Sequence, residues 1–579
     1  MAYEQIEGNL DTTVKPSVEV SDADLIILGN RWLAESEPFH QELEGIWKTN
    51  EAYYLGRQTD LERVPAFSSD AVQNHEFMGV ETVVPIITSN TPQFLGSPVN
   101  EDELSATMAD SVEKILGIRY EEGDFRSKIE QAVRHMIIYR YGVLKPFWNE
   151  YIDDWDVKAV HPRRLYFPRY GSRVEDVRMC EKIDMDFDEI EALWGAEALA
   201  KVKQYSESQP EDRDKVSRTA QVWEFWTNDF VFWKCGPNIL AKQLNPYFDF
   251  EGHVDNKLSL EGTEIEQTLF NNHFRRPLKP YIILSAFRLG NSLVGQTDLI
   301  TQSRPIQDII NVTLRSVINS AQRMGNPAWM IDSSVMTREE AENQITNEPG
   351  LILLGTDAAN PSKVRRDAPP PIPNYIINLL NSAQSAFDNI FGTHSTTRGE
   401  RREPETLGGR LLLKQADLGR IDLLVREVER GVAELGNWGV QMMRMYYDKE
   451  RTFKIYGQDG LKFITVSKHL EGIGAGIQMI VKSGSTLPTD EVSRRNEALQ
   501  LYQLGALDPI SLYERLKWPN PEETFARLQA YQTGQLQQKM MMDQAAQATQ
   551  GTPAATPQVV NPLLNPQAEL GQANNSINK

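Results

Sequence analysis

Three arginines and three glutamates crowd into residues 392–406, GTHSTTRGERREPET. Arg398, Arg401 and Arg402 are matched in number by Glu400, Glu403 and Glu405, so the formal charge of the stretch is zero. A guanidinium is a planar fork of donors that suits a phosphate oxygen pair. Carboxylates beside it repel the same phosphates. His394, Thr396 and Thr397 add uncharged hydrogen-bonding groups. Together these residue types can touch a polyanion without gripping it.

The rest of the chain offers little else that could do chemistry. Glu101, Asp102 and Glu103, or Asp153 and Asp154, could hold Mg2+ for nuclease work. With 81 acidic residues such neighbours arise by chance, so they read as solvated surface. Arg365 and Arg366 form a basic pair, as do Arg401 and Arg402; both read as ion-pairing elements rather than phosphate clamps. The eight histidines are scattered and make no HExxH or other metal spacing. His161, just before Pro162, reads as structural. There is no GxxxxGK[ST] loop and no GxSxG elbow. The glycines of GIGAGI, residues 472–477, lack a strand-to-helix setting and read as a hinge. No catalytic constellation, metal site or cofactor is expected.

Sixty Lys and Arg stand against 81 Asp and Glu, for a net charge of −21. That balance argues against tight, non-specific binding to nucleic acid, which needs a basic footprint. Cys180 and Cys235 are the only cysteines and form no CxxC, so a reducing compartment is expected. The first residues, MAYEQIEGNL, are polar and acidic, unlike a signal peptide. No run of about 18 apolar residues exists, so no membrane span is expected. With 579 residues and 40% hydrophobic content, the chain reads as a large soluble intracellular protein of several parts.

Strong helical patterns hold the charged stretch at both ends. Before it, residues 374–391 put Ile376, Leu380, Ala383, Phe387 and Ile390 on one face. After it, residues 407–447 carry Leu411, Leu418, Ile421, Val425, Val428, Val432, Leu435 and Met442. Gly419, Gly431, Gly436 and Gly439 inside that pattern predict close packing or a bend. A long polar loop between two such helices is often functional. Further upstream, Ile306, Ile310, Leu314, Val317, Ala321 and Met324 mark another long helix. Ser303 is its expected cap, with Pro305 in the first turn and Gly325 and Pro327 as its end. Residues 327–373 form an insert with short strands at 327–331 and 350–354, closed by the stiff spacer APPPIP.

The first 22 residues read as a flexible leader. Helical patterns follow from Asp22 to Trp47 and over residues 101–141, the latter broken near Gly123. Residues 141–148, 155–166 and 281–287 read as strands, residues 187–202 as a helix, and residues 221–234 as a hairpin turning at Thr227, Asn228 and Asp229. Residues 140–290 thus form an α+β part. Residues 452–466 read as a second hairpin about GQDG. Residues 489–542 are helical with breaks at Pro509 and at Pro519 and Pro521. From about Gln544 the chain is low in complexity and expected to be disordered. The fold class is α+β, predominantly α.

The order of these parts resembles the portal proteins of tailed bacteriophages. The resemblance covers about residues 25–535. It rests on GQTDLITQSRPIQDIINVTLRSVINSAQRMGNPAWMID (295–332), on EPETLGGRLLLKQADLGRIDLLVREVERGVAELGNWG (403–439) and on STLPTDEVSRRNEALQLYQLGALDPISLYERL (485–516). It implies a wing over residues 23–294, a first stem helix over 295–326, a clip over 327–373 and a second stem helix over 374–391. It further implies a tunnel loop over 392–406, a long wing helix and hairpin over 407–484, a helical crown over 485–543 and a tail over 544–579.

On that resemblance the chain would form a homo-oligomeric ring, a dodecamer, at one vertex of the capsid in the virion, assembled in the host cytoplasm. The ring would conduct double-stranded DNA during packaging and ejection, loosely and without sequence specificity. His394, Thr396, Thr397, Arg398, Arg401 and Arg402 would face the DNA, unless the arginines pair with glutamates of a neighbouring subunit. Arg338, Lys363, Arg365 and Arg366 in the clip would dock the terminase large subunit and later a head-completion or tail adaptor protein. The major capsid protein would be a further partner, and no membrane is implied. The portal itself would be no enzyme, ATP hydrolysis belonging to the motor. The competing readings are a non-portal virion scaffold or tail adaptor, which does not need the helix–insert–helix–loop–helix order, and a metal-dependent nuclease, which needs convergent carboxylates.

Overall fold

A computed structural model describes residues 20–58, 68–89, 92–97, 103–208, 218–248, 253–260, 263–269, 277–325, 328–345, 360–367, 371–393, 407–447, 449–457, 460–466, 478–482, 491–516, 524–531 and 533–534. The chain divides into two compact units. One holds residues 1–455 and 461–488, the other residues 456–460 and 489–579.

The larger unit opens with α1 (Asp22–Tyr54), capped where Ser21 Oγ accepts from the Asp24 amide. Its buried face is Leu25, Trp32, Leu43 and Trp47 with Ser36, His40 and Asn50 between. After α2 (His75–Ile87) and the short β1 (Phe94–Ser97) come α3 (Glu103–Glu122) and α4 (Phe125–Tyr139). The expected break at Gly123 is present: Asp124 adopts φ +48 and turns the chain between the two helices. α1 finishes the end of α4. Trp47 Nε1 donates to Tyr139 O at 2.7 Å, and Asn50 Nδ2 donates to Ile138 O at 2.9 Å, satisfying carbonyls that a helix end leaves open.

Two antiparallel sheets follow. β2 (Gly142–Asn149) and β3 (Asp154–Val160) pair through Val143 with Val160 to Asn149 with Asp154, and β11 (Ile282–Leu284) adds to the other edge of β2. The second sheet runs in the order β4 (Leu165–Tyr166), β5 (Met179–Asp186), β6 (Thr219–Trp226), β7 (Phe230–Cys235), β8 (Asn238–Leu244). The hairpin expected at Thr227–Asp229 joins β6 to β7, with Thr227 Oγ1 accepting from the Asp229 and Phe230 amides. The single strand expected over 155–166 is two strands in two sheets, split by a 3-10 turn at Pro162–Arg164. His161 begins that turn, its Nδ1 accepting from the Arg163 amide. α5 (Phe187–Ser208) packs against the five-stranded sheet and kinks at Gly195. β9 (His253–Leu260) and β10 (Thr263–Leu269) make a separate hairpin.

α6 (Leu299–Gly325) leads into β12 (Ala328–Ile331), α7 (Arg338–Gln344) and β13 (Val364–Asp367), and the chain returns through α8 (Asn374–Phe391). α9 (Leu407–Tyr446) then threads the core, with Ile421, Val425, Val428, Val432 and Leu435 all buried. Gly431, Gly436 and Gly439 are points of close approach, as expected, while the surroundings of Gly419 lie outside what is described. A Cβ on Gly431 would lie 2.1 Å from Leu284 Cδ2, and one on Gly439 2.7 Å from both Leu116 and Trp155. β14 (Arg451–Gly457) and β15 (Gly460–Val466) form the second expected hairpin, and β16 (Gln478–Val481) pairs with β1.

A buried ion cluster ties the two sheets together. Lys145 Nζ on β2 lies 2.5 Å from Glu181 and 2.6 Å from Glu224, on β5 and β6. Burial pushes the Lys145 ammonium towards losing its proton, but the two carboxylates outweigh that and hold it above its ordinary range. One member of an acidic pair read as solvated is not so. Asp154 is buried, ion-paired to Arg119 at 3.1 Å and accepting from the Tyr447 hydroxyl at 2.8 Å. Both partners lie far from it in sequence, so composition could not reveal them. Cys180 and Cys235 are free and buried.

In the smaller unit, α10 (Glu491–Gln503) and α11 (Pro509–Arg515) form a helical hairpin turned by Gly505 at φ +71. Ala498 and Leu512 are buried there. Asp508 Oδ2 accepts from the Ser511 amide and starts the second helix. Among the described residues no helix is long and apolar enough to cross a membrane.

Candidate functional site along the α6–α8 hairpin

The start of α6 is fixed by Asp298, not by Ser303 as the sequence reading had it. Asp298 accepts from the Thr301 amide and hydroxyl, both at 2.6 Å, from Asn50 Nδ2 at 3.0 Å and from Arg140 Nε at 2.9 Å. Pro305 therefore lies inside the helix rather than in its first turn. Lacking an N–H, it leaves the Thr301 carbonyl without its helical donor.

Ser303 is buried within α6, and it begins a polar line that steps by four residues. Gln307, Asn311 and Asn319 bond outward to the segment leading into α2, and Ser303 bonds to Glu76 in its first turn. Gln307 Nε2 donates to Gln73 O at 2.7 Å and its Oε1 accepts from the His75 amide at 3.2 Å. Asn311 Oδ1 accepts from the Gln73 amide at 3.2 Å, and its Nδ2 donates to Gln58 at 2.6 Å. Asn319 Oδ1 accepts from the Ser69 amide at 2.8 Å.

Glu76 closes the line. Its side chain is fully buried, with Oε1 2.6 Å from Ser303 Oγ and Oε2 without a partner. Burial pushes its carboxyl up to about 8, and the charges of Asp298 and Asp308 push the same way, against Ser303 and Arg304. Ser303 Oγ is also 2.9 Å from Leu299 O and 3.2 Å from Ile300 O. One hydroxyl hydrogen cannot serve all three acceptors. A protonated Glu76 donating to Ser303 Oγ leaves the serine hydrogen for the Leu299 carbonyl, so the geometry agrees with a neutral acid.

α8 runs back beside α6. Gln73, bonded to α6, also receives Gln384 Nε2 from α8 at 3.2 Å. Phe387 and Phe391 stack with centroids 4.9 Å apart and seat this end of α8 under α2, where a Cβ on Gly79 would be 2.8 Å from the Phe391 ring. Gly392 caps the helix at φ +69, and Thr393 is buried. From there the chain enters the charged loop. His394, Thr396, Thr397, Arg398, Arg401 and Arg402 lie outside the described residues, and the chain is described again from Leu407.

The insert presents the other predicted residues. β12 and β13 pair antiparallel, with Trp329 opposite Arg366 and Met330 opposite Arg365. The Arg366 guanidinium lies 4.6 Å from the Trp329 ring centroid. Arg365 donates to Met330 Sδ at 3.3 Å. Lys363 immediately precedes β13, its carbonyl accepting from the Asp332 amide at 2.9 Å. Hydrogen bonds from Ser334 hold the Asp332 carboxyl below its ordinary range, with the Lys363 charge acting the same way. Lys363, Arg365 and Arg366 are thus together. Arg338 stands on α7, paired 2.8 Å from Glu342 in a helix opened by a Thr337–Glu340 capping box. The strand expected at 350–354 lies outside the described residues.

The outer faces of the two helices expose several large apolar side chains among polar ones in one chain. Val312 is 58% exposed and Tyr375 70%, with Ile309, Ile377 and Leu379 beside them in the sequence. α8 carries Asp388 as its only charged residue. Nothing in this arrangement resembles a catalytic centre, and among the described residues no cluster of His, Cys, Asp and Glu could hold a metal ion. Sequence reasoning missed Glu76, Gln307 and Asn311. The polar four-residue step along α6 was the available signal, hidden beside the apolar stripe.

Residues 299–579 match the family model described as Phage P22-like portal protein. The match begins on the first residue of α6 and takes in the hairpin, the charged loop, α9 and the smaller unit. No curated protein matches the chain.

Proposed function

We propose that this chain, a tailed-phage portal protein, is the repeating subunit of a ring, a dodecamer, set at one capsid vertex. The ring conducts double-stranded DNA inward during packaging and outward during ejection. The observation that carries this reading is the family match over residues 299–579 falling on the helix–insert–helix–loop–helix order.

The physical features support the parts of the role. A ring is built from head-to-tail contacts that close. The large apolar side chains exposed on α6 and α8, such as Val312 and Tyr375, are the kind of groups that neighbouring copies cover. α6 and α8 then form the stem, and the insert forms the clip. Lys363, Arg365 and Arg366, with Arg338 on α7, offer cationic and aromatic contacts to the terminase large subunit and afterwards to a head-completion or tail adaptor protein. The major capsid protein surrounds the ring. The net charge of −21 keeps phosphate from sticking to the bore. The loop of residues 392–406, held at Gly392 and Leu407, supplies the constriction, with Arg398, Arg401 and Arg402 balanced by glutamates. The role is structural and calls for no active site.

Deleting residues 396–402 tests the loop. The variant is expected to assemble as the parent does but to lose DNA packaging or retention. Loss of assembly instead would make the loop a structural element and remove its part in the reading.

A further inference from the structure

The base of α6 and its shaft are held by different means. The first turn is locked by the four hydrogen bonds into Asp298. The shaft beyond Pro305 is held on its inner side by neutral hydrogen bonds to residues 69–75, with the Tyr53 hydroxyl donating to Asp308 at 2.6 Å and Ile310 set in the core just past the proline. Between them the helix is weakened twice. Pro305 removes one backbone bond. Ser303 directs its hydroxyl back at the Leu299 and Ile300 carbonyls, a pattern that bends helices. Beyond Thr313 no α6 residue is fully buried, and residues 321–325 are exposed.

We propose that α6 is hinged at Pro305, and that the segment from Ser69 to His75 is a latch that holds the shaft in the position seen. The geometry gives the latch its character. Its rungs join amide and carboxamide groups, so on release each partner is taken up by water, and Ile310 is the one fully buried apolar side chain of the shaft that release would uncover. Such bonds open locally at lower cost than a packed seam. The base cannot follow, because Asp298 is tied at once to Thr301, to Asn50 on α1 and to Arg140 after α4. Phe387 and Phe391 likewise keep the base end of α8 seated under α2. The hairpin therefore has a fixed base, one weak point in α6 and a shaft whose attachment can be made and broken.

Amide hydrogen exchange on the full chain, followed by mass spectrometry, tests this. In the parent protein, protection is expected to step at Pro305, with residues 306–320 exchanging faster than residues 301–304, whose amides have acceptors in the locked base. The double substitution Gln307→Ala, Asn311→Ala removes three rungs. It is expected to speed exchange at least tenfold in residues 306–320 and in residues 69–75 together, leaving residues 301–304 unchanged. Pro305→Ala restores the donor for the Thr301 carbonyl and is expected to shrink the step in the parent profile. Uniform protection from 301 to 320, or faster exchange in the shaft without the latch, would overturn the hinge. The exchange pattern is read within one chain whether or not rings form, so its failure is separate from any failure of the portal reading.

Discussion

Glu76 should make stability fall as pH rises through neutrality. Its carboxyl is pushed up to about 8 in the fold, against 4.5 for an exposed glutamate. The sign follows from linkage. Below 4.5 the acid is protonated folded or unfolded, and its site stands at full strength. Between 4.5 and about 8 the unfolded chain gives up the proton while the folded chain keeps it, so stability is lost steadily. Above about 8 the loss is complete. At about 1.4 kcal/mol per pH unit of separation, the ceiling is about 5 kcal/mol. Glu76→Gln removes the titration and keeps a hydrogen-bonding group beside Ser303. Comparing the two proteins also cancels the titration they share. An unfolding entropy of about 2 cal/mol/K per residue makes 1 kcal/mol worth about 1 °C in a cooperative unit this large. Thermal melts of both proteins from pH 5 to pH 9 should agree within about 1 °C at the acid end. The variant should melt about 3–5 °C higher at the alkaline end. Parallel curves across the range would refute the neutral, buried acid.

Three further outcomes are expected. Lys145→Ala strands two buried carboxylates and should cost about 3–5 kcal/mol, read as a fall in melting temperature; a neutral result would mean water reaches the cluster. Gly431→Ala sets a methyl against Leu284 and should cost about 1–3 kcal/mol, whereas Gly117→Ala, with open space at its Cβ, should gain about 0.5–1 kcal/mol; equal melting shifts would contradict the close approach of α9 to β11. Arg366→Ala should leave assembly and stability nearly unchanged, since one exposed cation–π contact is worth about 0.5–1 kcal/mol, but should weaken binding of the terminase large subunit; undiminished binding would remove Arg366 from the docking surface.

Much of the fold was legible because local signals agreed with tertiary ones. α8 begins and ends where Pro373, Gly392 and the apolar spacing said it would. The turn at Thr227–Asp229 carries its own hydrogen-bonding side chains. The glycines of α9 announced close packing, although only the fold says against what. Reading failed where distant partners decide. A serine two residues before a proline imitates a helix start, yet Asp298, held by Asn50 and Arg140, starts α6 earlier. Asp154 read as surface because nothing local reveals Arg119 or Tyr447. The polar line on α6 was visible as spacing, but its meaning depends on residues 69–76, far away in sequence. The cations of the insert are neighbours in sequence: Lys363, Arg365 and Arg366 follow one another into and along β13, while Arg338 stands apart on α7.

The central claim is a closed ring of copies around one axis. Negative-stain microscopy of the purified chain tests it most directly. The account predicts rings of uniform diameter with a central hole and rotational symmetry. Only monomers or open filaments, across a range of salt and protein concentration, would contradict it.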